Sequence, residues 1–203
     1  MKATFWFDPM CPWAWITSRW VIEVTQVREV EVNWQVMSLG VLNEGNDIPE
    51  EYAELIKRTW RPVRVLHAAA AAHGEQVLLP LYTAMGNRFH LEKQKDVDAV
   101  ISAALAEVGL EADLAAAADS TEFDDLVRAS HANAVAMSGK GVGTPVIAID
   151  DLDGNPVGFF GPIMTPIPRG EAAGKIWDGF VLVAQVPGVV EIKRTRIDGP
   201  KVD

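Results

Sequence analysis

Phe5-Trp6-Phe7-Asp8-Pro9-Met10-Cys11-Pro12-Trp13-Ala14-Trp15 holds the end of a strand, a turn, the chain's single cysteine and the start of a helix. Lys2 to Phe7 is short, aromatic and closed by Asp8-Pro9, the pattern of a buried strand ended by a turn. Cys11 stands at the N-cap position. Pro12 follows at the first helical position, where its missing N–H costs nothing and its φ is already helical. From Trp13 onward apolar residues recur at helical spacing, among them Ile16, Trp20, Val24 and Val27. The helix therefore points its N-terminus at Cys11. Free N–H groups and the helix dipole favour a thiolate there, so the pattern predicts a thiol pKa below the ordinary value of about 8.5 and a nucleophile suited to thiol–disulfide exchange. A lone cysteine is more often a small packing residue. The order strand, cysteine, proline, helix favours the reactive thiol instead.

Composition narrows the partners. The 203 residues are 49% hydrophobic and 23% charged, enough for one globular domain or a domain carrying an inserted subdomain. Eighteen Lys and Arg against 28 Asp and Glu give a formal charge of −10, which argues against nucleic acid and against an anionic membrane surface as partners. The first residues are too soon acidic for a signal peptide and no apolar run reaches bilayer length, so the expected location is the cytoplasm. A single cysteine forbids an internal disulfide. The four histidines, His67, His73, His90 and His131, form no dense ligand pattern, so no metal is expected. No dinucleotide glycine fingerprint follows a strand, which argues against a flavin.

After the first helix, Glu29 to Leu39 alternates polar and apolar residues as a second strand does, giving a right-handed βαβ opening. A loop from Ser38 to Pro49 leaves that strand; Asn43 within it is expected to line the site, although asparagine is also an ordinary turn former. From Pro49 to about Met137 the pattern is helical, with segments at 50–55, 63–73, 76–89, 96–108, 110–118 and 121–137. Gly86 reads as a helix breaker, and His90 beyond it as a group that could hold a thiolate or protonate a leaving group. Gly141 to Asp150 then gives a glycine approach, Thr144-Pro145 and an apolar strand that begins with proline. Asp150 to Pro156 is a turn without the carboxylate spacing of a calcium loop, and Val157 to Phe160 is its hairpin partner. A last helix starts near Glu171, and Val189 to Arg196 reads as a tail strand or extended segment. The expected division is 1–48, 49–140 for the helical insert, and 141–203.

Asp8-Pro9-x-Cys11-Pro12-Trp13-x-Trp15 resembles the active-site segment of the DsbA-like branch of the thioredoxin superfamily, in which Cys-Pro-Trp-Cys is a common form. Ala14 stands where that pattern has its resolving cysteine, and reads as a replacement of it. Gly143-Thr144-Pro145 resembles the superfamily's cis-proline loop, and Phe159-Phe160-Gly161-Pro162 again resembles the DsbA-like family. Trp15 to Trp20, Val36 to Leu39, Tyr82 to Arg88 and Ile167 to Glu171 are similar to the cytoplasmic mycothiol-dependent reductases, or nitroreductases, of that family.

The resemblance implies an α/β, thioredoxin-like fold with an inserted α-helical subdomain, and Cys11 as the nucleophile. Pro12, Trp13, Thr144 and Pro145 would then shape the groove, with Asn43, Tyr52 and His90 as cap residues. Mycothiol would be the thiol cosubstrate, a small thiol or disulfide the substrate, and the protein a monomer or homodimer. Two other classes share the fold: an enzyme like the kappa-class glutathione transferases and 2-hydroxychromene-2-carboxylate isomerases, and a non-catalytic thiol-binding module.

Overall fold

In the computed structural model, which describes residues 1–186 and 188–202, Lys2–Phe7 forms β1 and Pro12–Val27 forms α1. β2 (Glu31–Val36) is shorter than the alternation suggested and pairs parallel with β1, Phe5 opposite Trp34. Strand, helix and parallel strand make the expected βαβ unit. β3 (Val146–Asp150) lies antiparallel on the other side of β1, Phe5 opposite Ile147, and β4 (Pro156–Phe160) completes a hairpin with it. Among the described residues the sheet order is β2-β1-β3-β4. Because β1 and β3 run in opposite directions, the end of β1 and the start of β3 share one edge of the sheet.

Side chains alternate across a strand, so Phe5 and Phe7 face one side of the sheet and Trp6 the other. On the first side lie α1 and α7 (Gly170–Ala184), joined where Trp20 Nε1 donates to the Ala173 carbonyl at 3.1 Å and the Trp20 and Trp177 rings meet at 5.9 Å. On the second lies α6 (Asp124–Ser138), whose Ala134 packs with Trp6, Val146 and Ala148. No helix among the described residues is long and apolar enough to cross a membrane.

Between β2 and β3 the chain is helical, with three departures from expectation. A short helix, α2 (Leu39–Leu42), replaces the start of the expected loop, its N-cap Ser38 Oγ accepting from Val41 N at 3.2 Å. α3 runs unbroken from Glu50 to His73 through Pro62, where two helices were expected. Pro62 removes one helical hydrogen bond, but Pro62, Val63, Val65 and Leu66 are buried, and their packing outweighs that loss. After a 3₁₀ turn at Glu75–Val77, α4 (Leu78–Gly86) continues into a π turn over Asn87–Leu91. Gly86 is therefore no breaker: its φ of −65° is helical, and its bare Cα admits the Trp15 ring, which a methyl group there would overlap. α5 (Val97–Val108) starts at its expected cap, Asp96, which accepts from Asp98 N and Ala99 N, and a 3₁₀ segment over Ala112–Asp119 leads to α6.

No strand forms over residues 189–196. Residues 196–202 instead return to the loop before α7 and to the first turn of α1. Lys201 N donates to Thr165 Oγ1 at 2.9 Å, and Trp15 Nε1 to the Val202 carbonyl at 3.4 Å.

Two glycine substitutions test this packing in opposite directions. Gly86→Ala forces the Trp15 ring aside and is expected to cost about 1–3 kcal/mol in urea unfolding. Gly179→Ala, on an exposed face of α7 with open space around it, is expected to add about 0.5–1 kcal/mol. Equal effects of one sign would refute the close approach at Gly86.

Candidate active site

β1 ends in Asp8, and each polar group of Asp8 is engaged. Its N–H donates to Thr144 Oγ1 at 3.3 Å and its carbonyl accepts from Cys11 N at 3.1 Å. Oδ1 accepts from Met10 N at 2.8 Å, and Oδ2 from Leu39 N at 2.7 Å. One fully buried residue thus joins the Cys11 turn, the segment before Pro145 and the first residue of α2. Burial raises the Asp8 carboxyl to about 7, against the pull of the Leu39 and Met10 N–H groups. In the sequence Asp8-Pro9 read as the stop of a strand and as the head of the Cys11 motif, and no local pattern marked the carboxylate as internal.

Cys11 caps α1 as expected. Its Sγ accepts from Ala14 N at 3.5 Å and donates to the Thr144 carbonyl at 3.5 Å. The Thr144–Pro145 peptide is cis. The expected lowering of the thiol pKa is corrected here. Burial pushes the Cys11 thiol up to about 12; the Ala14 N–H opposes the rise, the Asp8 charge adds to it, and the Trp13 N–H opposes it. With 6% of the residue exposed, removal from water exceeds what the helix N-terminus supplies. Pro12 and Trp13 are half-buried at the rim, and the Arg196 guanidinium of the returning C-terminal segment lies 5.0 Å from the Trp13 ring centre.

His90 reaches the same turn from the insert. Its Nε2 lies 2.9 Å from the Pro9 carbonyl, which can only accept, so that nitrogen carries the proton. The imidazole stacks on Trp15 at 5.5 Å and 29°, and the Arg19 guanidinium lies 4.0 Å from the same indole. Burial lowers His90 to about 4, so the ring is neutral. Its bond braces the turn one residue before Met10, and the thiol's own partners are Thr144 and Ala14. Asn43 ends α2, its Nδ2 donating to the Leu39 carbonyl at 2.8 Å, so among the described residues its hydrogen-bond link to the site runs through Leu39. Tyr52 stands 43% exposed on the first turn of α3, without a hydrogen bond to the Cys11 turn among the described residues. The structure thus gathers Cys11, Pro12, Trp13, Ala14, Thr144, Pro145 and, by way of Pro9, His90. Among the described residues no group of three or more His, Cys, Asp or Glu is placed to hold a metal ion.

A family model described as Rv2466c-like, mycothiol-dependent nitroreductase Rv2466c, matches residues 10–194. The chain is 33% identical over 195 residues to the uncharacterized protein Rv2286c of Mycobacterium tuberculosis (strain ATCC 25618 / H37Rv), covering 95% of this chain and 81% of that protein. Its fold is similar to that of a probable DsbA oxidoreductase from Streptomyces coelicolor, with a TM-score of 0.59 and 17% identity over 100% of this chain and 99% of the other. It is also similar to the cytosolic disulfide reductase DsbM from Pseudomonas aeruginosa, with a TM-score of 0.56 and 18% identity over 91% and 100%. At these identities the two solved structures speak to fold alone. That fold is the thioredoxin-like one with an inserted set of helices, as the two motifs implied.

The His90 bond has a consequence in acid. An unfolded His90 takes a proton near 6.5 and the folded one near 4, so between these values the unfolded state binds more protons and stability falls as the pH drops. His67, held near 4 by burial, acts in the same direction, while Asp8, raised to about 7, offsets part of the fall. His90→Gln keeps a donor for Pro9 and removes one contribution of up to about 3 kcal/mol. Its urea midpoint is expected to drop less than that of the parent between pH 6.5 and 4; an equal drop would show that His90 is not held neutral.

Proposed function

The chain belongs to the Rv2466c-like family, and on that premise we propose that it is a thiol–disulfide oxidoreductase with Cys11 as nucleophile and mycothiol as its small-thiol cosubstrate. The observation that carries the proposal is the placement of Cys11 Sγ at the N-terminus of α1, 3.5 Å from the Thr144 carbonyl of a cis-proline loop. Sulfur at a helix end is stabilised as an anion once water or substrate reaches it. The backbone beside Pro145 offers an incoming chain strand-like hydrogen bonds.

In the proposed reaction the Cys11 thiolate attacks one sulfur of a disulfide. A Cys11–S–S–R bond forms, the substrate S–S bond breaks, and the other half leaves as a thiolate that takes up a proton. With Ala14 beside it in place of a second thiol, the mixed disulfide is resolved by a molecule of mycothiol, which leaves joined to R. In total one disulfide bond is exchanged for another and no outside electrons are needed. A nitro compound as acceptor would draw its electrons from thiols oxidised in pairs at the same sulfur. Pro12 and Trp13 form the rim over which the substrate enters, and a reducing compartment such as the cytoplasm suits the chemistry.

The test is incubation with the disulfide of mycothiol, read by intact mass. One mycothiol half is expected on the parent protein and none on Cys11→Ser, while Ala14→Cys is expected to release the adduct and, given bis(2-hydroxyethyl) disulfide as a separate substrate, to turn over with mycothiol as reductant. Absence of an adduct on the parent, together with no turnover by Ala14→Cys using either mycothiol or glutathione, would overturn the oxidoreductase reading. A thiol-binding module or an isomerase of the kappa-class type would then remain.

A further inference from the structure

Among the described residues Asp8 has no counter-ion. No Lys or Arg side chain lies within 4.0 Å of its carboxylate among the described residues, and both of its oxygens are held by backbone N–H groups. A buried carboxylate without a cation is costly, and one used merely to tie a turn could be replaced by a neutral acceptor. Its neighbours make the charge consequential. On its own turn the Cys11 thiol is the ionisable group, and its carbonyl takes the Cys11 N–H. From α4 the buried Tyr82 phenol feels the Asp8 charge. β3 is preceded by Thr144, which is uncharged, and α2 (Leu39–Leu42) carries no ionisable side chain. From the insert, neutral His90 faces Pro9, and from α6 His131 Nδ1 lies 3.5 Å from Ser38 N, beside the Leu39 amide that Asp8 holds. Arg19 stands off behind Trp15 and Tyr82.

We propose that Asp8 is a positioning residue for Cys11 whose single buried charge competes with that of the Cys11 thiolate, so that the site holds one negative charge and the protonation of Asp8 releases the thiol for reaction. The proposal rests on the reading of Cys11 as the reactive thiol. Two links carry it. Through its four hydrogen bonds Asp8 fixes the turn that aims Sγ at Thr144, and through its charge it opposes ionisation of a sulfur held in the same low-dielectric cluster. When Asp8 takes up a proton from solvent, the opposition ends and the thiol proton leaves to solvent at lower cost. The carboxyl titrates near neutrality, so this exchange falls within the working range of a cell.

The experiment is the rate of Cys11 alkylation by iodoacetamide, a neutral probe, followed by mass from pH 5.5 to 9. The parent's logarithmic rate is expected to rise with unit slope, flatten around pH 7 as Asp8 ionises, and rise again. Asp8→Asn is expected to give one straight line of unit slope, with a rate at pH 8 about tenfold above the parent. Thr144→Val loosens the same turn by removing the acceptor for Asp8 N–H but keeps the carboxyl, and is expected to retain the break. Should Asp8→Asn fail to fold, the carboxyl ¹³C signal of Asp8 in the parent gives the same answer by titrating between pH 6 and 8. A parent profile without a break, a break that survives Asp8→Asn, or a break lost in Thr144→Val would each overturn the proposal. None of these readings uses turnover, so a failure of the oxidoreductase reading shows itself separately, as a missing mycothiol adduct with the alkylation break intact.

Discussion

The antiparallel pairing of β1 with β3 is the constraint on which the site depends. Their register sets Trp6 against Val146, so the residues just past β1 and just before β3 emerge at the same edge of the sheet. Asp8 and Thr144 meet there although 136 positions separate them, and the Asp8 N–H to Thr144 Oγ1 bond closes the junction. Given that junction, the cysteine three residues after Asp8 has one place to go. Its sulfur falls between the first turn of α1 and the Thr144 carbonyl. Hydrogen bonds to a buried carboxylate contribute about 1.5–3 kcal/mol each, so the Met10 and Leu39 amides hold the turn and offset part of the cost of removing Asp8 from water.

A second constraint is steric. The Trp15 indole is packed against the bare backbone of Gly86, stacks with His90 and lies beside Arg19. Three segments of chain, α1, α4 and the π turn after α4, are therefore fitted around one ring. The π turn widens the helix where His90 must turn back toward Pro9, a local distortion of the kind often found at functional sites.

Much of this was legible in the sequence because it is local. The Cys11-Pro12 helix start, the alternation in β2, the Asp96 cap and the apolar run after Pro145 each follow from the geometry of a few adjacent residues. What escaped depends on distant partners. Gly86 has the composition of a breaker, and only the Trp15 ring makes it a contact. Pro62 has the chemistry of a helix end, and only burial of its neighbours carries α3 through it. The thiol pKa went the wrong way for the same reason: the helix N-terminus can be read from Pro12, whereas the burial that outweighs it belongs to the folded packing, in which the sulfur meets Thr144, 133 positions away. Asp8 was likewise visible as a turn former and invisible as a buried charge.

The two ends of the chain stand in unequal relation to this chemistry. The Met1 ammonium donates to the Glu29 carbonyl at 2.9 Å, at the far end of β1 and so about 20 Å of strand from Asp8. Val202, by contrast, accepts from the Trp15 indole, and Arg196 lies over Trp13. An affinity tag, a fluorescent label or a surface tether joined at the N-terminus leaves the thiol's surroundings as they are. The same addition joined after Val202 is anchored beside the rim over which any reagent must pass.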